Sequence, residues 1–98
     1  MKRIFSKGTL RDYWEKHADC EQHLKTWYDT AMNADWKSPS DVKKTYSSAS
    51  ILKGGRIVFN IKRNTYRLIT RVNFKKQWMF IRFIGTHAED NKIDAETI

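Results

Sequence analysis

The chain has 98 residues, a formal net charge of +8, one cysteine and one proline. This length allows one small domain with a single core. A lone cysteine excludes a disulfide framework and fits a reducing compartment. No apolar run approaches the roughly 20 residues of a membrane span, and the first residues lack the apolar region of a signal peptide. We therefore expect a single domain over residues 1–98 of a soluble, cytoplasmic protein with no membrane partner.

The positive charge is concentrated in one part of the chain. Residues 1–41 hold seven basic and seven acidic side chains, so they balance. Residues 42–88 hold eleven Lys and Arg and no carboxylate, whereas residues 89–98 hold four acids and one Lys. A field concentrated in this way attracts polyanions. The pattern therefore favours a nucleic-acid partner over the alternative that the cations only maintain solubility.

The first half of the chain predicts one short strand and a set of helices. The predicted elements are an edge strand over Lys2–Ser6, helices over Thr9–Ala18 and from Asp19 to about Ala34, and a helical turn over Val42–Thr45. Apolar residues recur at helical spacing in both helices, and Asp19 with Gln22 three residues later resembles a capping box. We interpret the aromatic residues of these helices as core packing.

The second half predicts three strands that form an antiparallel meander. Apolar and polar residues alternate over Arg56–Lys62, Thr65–Phe74 and Trp78–Gly85, with polar turns between them. The alternation gives an apolar face made of Ile57, Phe59, Ile61, Tyr66, Leu68, Val72, Phe74, Met79, Ile81 and Phe83. Such a face must be covered. The expected fold class is therefore α+β, with the two N-terminal helices packed on one face of a small antiparallel sheet.

The opposite side of the meander, which we call the polar face, carries the candidate functional residues. Its predicted members are Arg56, Asn60, Lys62, Arg67, Arg71, Asn73, Trp78, Phe80 and Arg82, with Lys76 in the adjoining turn. This face has no carboxylates with which to hold catalytic metals. Cys20, His17 and His23 match no metal-site spacing either, so we expect neither metal nor cofactor.

RNA is the substrate that this composition favours, because RNA supplies its own nucleophile, the 2′-hydroxyl group. Attack on the adjacent phosphate builds negative charge that guanidinium groups stabilise, which suggests Arg67 with Arg71 or Arg82. His87 and Lys62 are the candidates for proton transfer, since both lie among positive charges. Trp78 and Phe80 could stack a base.

The direction of the His87 side chain is the weak point of this hypothesis. Strict alternation along the last strand places His87 on the core side, with Met79, Ile81 and Phe83. Gly85 and Thr86 could change that direction, as irregularities at strand ends often do.

Several segments resemble the HigB toxins of bacterial toxin–antitoxin systems, within the broader RelE-like fold. The resemblance rests on Arg-Ile-Val-Phe-Asn-Ile-Lys at 56–62, Tyr-Arg-Leu-Ile at 66–69, Phe-Ile-Arg-Phe-Ile-Gly-Thr-His-Ala-Glu at 80–89 and Lys-Ile-Asp at 92–94. The Trp-x-x-Pro-x-Asp-Val connection at 36–42 extends it, so most of the chain is covered. One departure is that Asp90-Asn91 follows His-Ala-Glu here, where the family pattern has Tyr-Asp.

The resemblance implies a single RelE-like toxin domain that acts as an mRNA interferase on messenger in the ribosomal A site. It also implies a HigA-type antitoxin partner, and operator DNA bound only through the antitoxin complex. Carried onto this sequence, Asn60 and Lys62 match the substrate-lining strand, Arg67 the arginine at the scissile phosphate, and His87 the proton-transfer position. The missing aromatic at Asp90 implies an altered base preference.

Two other classes of protein compete with the interferase hypothesis. A non-catalytic RNA- or ribosome-binding module would use the same polar face only to hold a strand. A purely structural partner in a DNA-binding complex would cause no growth arrest when it is expressed without its antitoxin.

Overall fold

The computed structural model describes all 98 residues. The chain forms one five-stranded sheet with helices packed on one face. The elements are β1 (Arg3–Phe5), α1 (Lys7–Lys16), α2 (Glu21–Asn33), α3 (Pro39–Thr45), β2 (Ser50–Ile51), β3 (Arg56–Ile61), β4 (Tyr66–Asn73), β5 (Trp78–Thr86) and α4 (His87–Asp90). Short 3-10 turns lie at Ala18–Cys20 and Lys53–Gly55. None of the helices combines the length and the apolar character needed to cross a bilayer.

The strands are ordered β1-β5-β4-β3-β2 across the sheet. The meander β3-β4-β5 is antiparallel, as predicted, and β2 extends it at one edge. The predicted N-terminal edge strand is also present, but β1 pairs in parallel with β5, so the sheet is mixed. The α+β class is confirmed.

The core lies between the helices and the apolar face of the meander. Leu10, Leu24 and Ala31 are completely buried on the helices, and Leu68 and Met79 are completely buried on the sheet. The helix aromatics pack as predicted, since the rings of Trp27 and Phe59 lie 5.2 Å apart between α2 and β3. Burial of such large rings supplies most of the stabilisation in a domain of this size.

The helix boundaries differ from the predicted ones at the junction between α1 and α2. The predicted capping box of Asp19 and Gln22 does not form, and α2 begins at Glu21 without a side-chain cap. Asp19 lies instead in a 3-10 turn, where its carboxylate accepts hydrogen bonds from Lys62 and Tyr66. A charged partner on the sheet therefore replaces the local cap that the sequence suggested.

A bulge in β5 corrects the predicted assignment of the two faces. Ile69 pairs with Phe83 and Thr70 pairs with Ile81, so Arg82 is left as an extra residue between them. Because one extra residue reverses the alternation, every β5 side chain after Arg82 changes face. Phe83 therefore leaves the predicted apolar face, and Ile84 takes its place in the core.

Candidate active site

His87 and Arg67 meet on the polar face, at the end of β4 and β5. Gly85 pairs with Arg67 across the strands, and His87 follows two positions later, on the same side as Gly85 because of the bulge. The guanidinium Nη2 of Arg67 contacts Nε2 of the His87 ring. The exposed imidazole is therefore outside the core, where strict alternation would have buried it.

A capping box holds His87 in this position. Thr86 is the N-cap of α4, and its Oγ1 accepts a hydrogen bond from the Glu89 N–H at 3.3 Å. In return, Glu89 Oε1 accepts from the Thr86 N–H at 2.8 Å. These bonds fix the first turn of α4, which begins at His87. Space for the turn exists because residue 85 is glycine, where a Cβ would lie 3.2 Å from that of Glu89.

Glu89 also connects α4 to the helical layer. The hydroxyl group of Tyr13, from α1, donates to Glu89 Oε1 at 3.4 Å. Hydrogen bonds from the Thr86 N–H, from its hydroxyl and from Tyr13 keep the pKa of Glu89 below its ordinary value. Burial and the neighbouring Glu89 carboxylate raise the pKa of Tyr13. Tyr13 therefore keeps its proton and Glu89 stays ionised, so the hydroxyl group donates and the carboxylate accepts. This contact connects α1 to the candidate active site.

Lys62 lies at the same end of the sheet but is directed elsewhere. It follows β3 with a φ of 51°, a left-handed conformation that takes its side chain out of the strand alternation. Its Nζ lies 2.9 Å from Asp19 Oδ2, on the side covered by the helices. Hydrogen bonds from Lys62 and then from Tyr66 lower the pKa of Asp19, while burial and Asp19 raise that of Tyr66 to about 12.

Asn60 faces Arg67 directly across the β3–β4 pair, as the sequence predicted for a shared face. Its Nδ2 donates to the carbonyl oxygen of Ser48 at 3.2 Å. Asn60 Oδ1 and Arg67 Nε are buried without any hydrogen-bond partner. Unsatisfied buried polar atoms are uncommon and often mark functional sites.

The remaining predicted residues lie at the other end of the polar face. Arg71 pairs with Phe80, and both line a groove that Arg82 also borders. Trp78 is half-buried nearby, with the ammonium group of Lys76 4.8 Å from its ring centroid. The structure therefore divides the predicted site into one end with Arg67 and His87 and a groove end with Arg71 and Arg82.

The carbonyl oxygen of Ile98 lies beside Arg56, which pairs with Arg71 at the groove end of the polar face. Arg56 Nε donates to the carbonyl oxygen of Ile98 at 2.9 Å. Val58 and Ile69 lie on the same face and are 5% and 0% exposed. The Arg56 guanidinium is thus engaged with the chain itself.

No group of three or more His, Cys, Asp or Glu side chains is placed to hold an ion. Cys20 is buried, and burial raises its pKa to about 11, so the thiol stays protonated at neutral pH.

Sequence reasoning named Thr86 only as a residue that could change the direction of His87, and it missed two further contributors, Glu89 and Tyr13. The spacing Thr86-x-x-Glu89 is the signature of a capping box and could have been recognised. Tyr13 could not, because its contact with Glu89 joins positions 76 residues apart.

Comparison with known proteins identifies the family. The family of HigB toxins, described as the RelE-like toxic component of a toxin–antitoxin system, matches residues 20–93. The chain is 27% identical over 88 residues to the mRNA interferase toxin HigB of Escherichia coli strain K12 and to the mRNA interferase HigB of Shigella flexneri. These alignments cover 88% of this chain and 85% of each relative. With the matched segment containing both Arg67 and His87, the chain belongs to the HigB family of RelE-like toxins.

Proposed function

We propose that the protein is an mRNA interferase, a metal-independent endoribonuclease that acts as the toxin of its toxin–antitoxin pair. The contact between Arg67 and His87 on an exposed, cation-rich end of the sheet carries this proposal. A phosphate-binding guanidinium beside an imidazole provides the two functions that cleavage by an internal 2′-hydroxyl requires. The printed names of the relatives, which are mRNA interferases, agree with this chemistry.

The first step uses the pair as the structure arranges it. A guanidinium group has only donors, so Nε2 of His87 must present its lone pair to Arg67. An incoming phosphate attracts the guanidinium, and the lone pair becomes available to the 2′-hydroxyl proton. The 2′-oxygen then attacks phosphorus and displaces the 5′-oxygen, which leaves a 2′,3′-cyclic phosphate and a 5′-hydroxyl end. Arg67 stabilises the negative charge of the transition state.

Lys62 is our candidate for the proton donor to the leaving 5′-oxygen. β4, which carries Arg67, lies between β3 and β5, so Lys62 and His87 flank it. Two strand spacings separate their backbones by about 10 Å, enough for a phosphate between them. The Lys62 side chain is 39% exposed, and this role requires it to leave Asp19 and reach the substrate.

The other polar-face residues would bind the messenger strand. Asn60 lies next to Arg67, whereas Arg71, Arg82, Lys76 and Trp78 lie toward the groove end. This shallow, cation-lined surface suits a single strand, which fits action on messenger in the ribosomal A site in the cytoplasm. A HigA-type antitoxin would neutralise the toxin, and operator DNA would be bound only through that complex.

Cleavage of purified RNA tests the proposal. We expect wild type to cut with EDTA present and to leave cyclic phosphate ends. Arg67→Ala should lose about 10²–10³-fold in rate and His87→Ala about 10²–10⁴-fold. Arg11→Ala and His23→Ala are matched controls, because both residues are exposed on the helices. A 5′-end map made after expression without antitoxin extends the test to cells.

A non-catalytic RNA- or ribosome-binding module makes the opposite prediction. Growth arrest would then persist with His87→Ala, and no new messenger 5′ ends would appear. Equal 5′-end maps from wild type and Arg67→Ala would remove the enzyme proposal.

A further inference from the structure

The groove at the far end of the polar face has the composition of a nucleotide-binding site. Its volume is about 460 Å³, and it is lined by Gly54, Gly55, Arg71, Val72, Asn73, Phe74, Phe80 and Arg82. Two guanidinium groups border it, and none of the lining residues is a carboxylate. No residue of the C-terminal segment lines it, so the chain itself does not fill it. Its charge selects an anionic ligand.

An aromatic platform lies in this groove. The ring of Phe80 stacks on Phe5 with centroids 5.0 Å apart and planes at 15°. Trp78 packs edge-on against both rings, at 6.0 Å from Phe5 and 6.5 Å from Phe80. Phe5 and Trp78 thus support Phe80, which itself lines the groove. A rigid aromatic ring next to two guanidinium groups suits a base with its phosphate.

The opposite wall is bare backbone. Gly54 and Gly55 have φ values of 69° and 77°, in the left-handed region. A Cβ at Gly55 would lie 2.6 Å from the carbonyl oxygen of Val72, so no larger residue fits without displacing β4. A Cβ at Gly54 would lie 2.6 Å from the Arg56 guanidinium. Positions 54 and 55 therefore contribute no side chain to the groove.

The groove lies on the same face of the sheet as Arg67 and His87. Arg67 and Arg71 are four positions apart on β4 and project from the same face. Their Cα atoms are therefore about 13 Å apart along the strand. A single RNA strand that has one phosphate at Arg67 would place a different nucleotide in the groove.

We propose that this groove binds one nucleotide of the RNA strand that is cut, with its base on Phe80 and its phosphate at Arg71 and Arg82. Stacking and phosphate contacts accept any base, so the groove fixes the position of the strand relative to Arg67 and His87. This inference rests on the proposed function and assigns to the groove the positioning of the strand for cleavage.

Abasic substitution gives a direct test. A set of synthetic RNA strands carries a single abasic nucleotide at each position around one cleavage site. Wild type should lose about 10-fold to 100-fold in affinity at one position away from the cut, the loss expected for one stacked base. Phe80→Leu should lose the same factor on intact RNA and should be insensitive to the abasic nucleotide at that position. Leucine keeps an apolar side chain against Phe5, so the fold is retained.

The controls separate this inference from the proposed function. Tyr28→Leu changes a half-buried aromatic residue of α2 that does not line the groove, and it should keep the wild-type profile. Arg82→Gln should weaken binding of every strand and reduce its salt dependence. Binding of the same strands is measured by fluorescence anisotropy. The combined effect of Phe80→Leu and the abasic nucleotide can then be detected even when the RNA is not cut. An identical abasic profile in wild type and Phe80→Leu overturns the groove, whereas uncut RNA overturns only the proposed function.

Discussion

Replacing Glu89 with alanine should separate His87 from Arg67 while leaving the sheet intact. Glu89 Oε1 accepts from the Thr86 N–H and from the Tyr13 hydroxyl group, and both bonds are lost in this variant. The α4 helix has only four residues, too few for a helix that is stable by itself. Its conformation therefore depends on the capping box, and so does the position of the imidazole.

The size of the effect follows from these contacts. Each of the two hydrogen bonds lost contributes about 1 kcal/mol, enough to allow a four-residue helix to fray although Thr86 Oγ1 still accepts from the backbone N–H of residue 89. A reacting group misplaced by about 1 Å can cost roughly 10²-fold in rate. We expect kcat for RNA cleavage to fall about 10-fold to 100-fold in Glu89→Ala, with KM within about twofold, because the cations that bind RNA do not move. Glu89→Gln should restore part of the rate, since glutamine also completes a capping box.

Single-turnover cleavage of a defined RNA, with circular dichroism on the same samples, measures this effect. Asp90→Ala is the matched control, because it removes one carboxylate from the same helix, and Asp90 has no side-chain hydrogen bond. A rate for Glu89→Ala equal to that of wild type would contradict the positioning argument. An equal loss in Asp90→Ala would show that charge, and not the cap, is responsible.

Three further outcomes are expected. If Lys62 donates the final proton, Lys62→Ala should lower the cleavage rate of ordinary RNA about 10²–10⁴-fold. The rate on RNA with a sulfur at the 5′-bridging position should fall little, because the thiolate leaves without a proton. Equal losses of rate on the two substrates would exclude that role. The pKa of Asp19 is lowered in the folded state by Lys62 and Tyr66, so it stabilises the fold above the ordinary carboxyl pKa of about 4 and this contribution is lost as pH falls. Thermal unfolding should therefore show Asp19→Asn less stable than wild type at pH 7, with the difference shrinking toward pH 3; a difference independent of pH would refute this. With its pKa raised to about 11, Cys20 should react with a disulfide reagent at pH 8 only after denaturant is added, and rapid native labelling would contradict its burial.

Much of the fold could be predicted from local pattern. The period-two alternation predicted β3, β4 and β5 to within one or two residues of their observed ends, and helical spacing predicted α1 and α2. β2 and α4 were missed, because two and four residues are too few to show a period. The parallel pairing of β1 with β5 was also beyond the sequence, because it joins segments about 75 residues apart.

The candidate site was predicted in its residue types and only partly in its arrangement. Arg67 and His87 were chosen for their chemistry, and they do lie in contact. Lys62 was placed with them by alternation, but its left-handed backbone directs it to Asp19. Alternation holds only within a regular strand. It fails at Lys62, which follows the end of β3, and at His87, which follows the bulge in β5.

The sequence by itself determined the charge of the polar face, the meander and the apolar face that the helices cover, because these depend on composition and on spacing between near neighbours. Only the tertiary structure decided that His87 reaches Arg67. That outcome depends on one unpaired residue, Arg82, whose extra position reverses the alternation of β5. A bulge forms when packing against neighbouring strands favours it over regular pairing, and this balance involves residues distant in the chain.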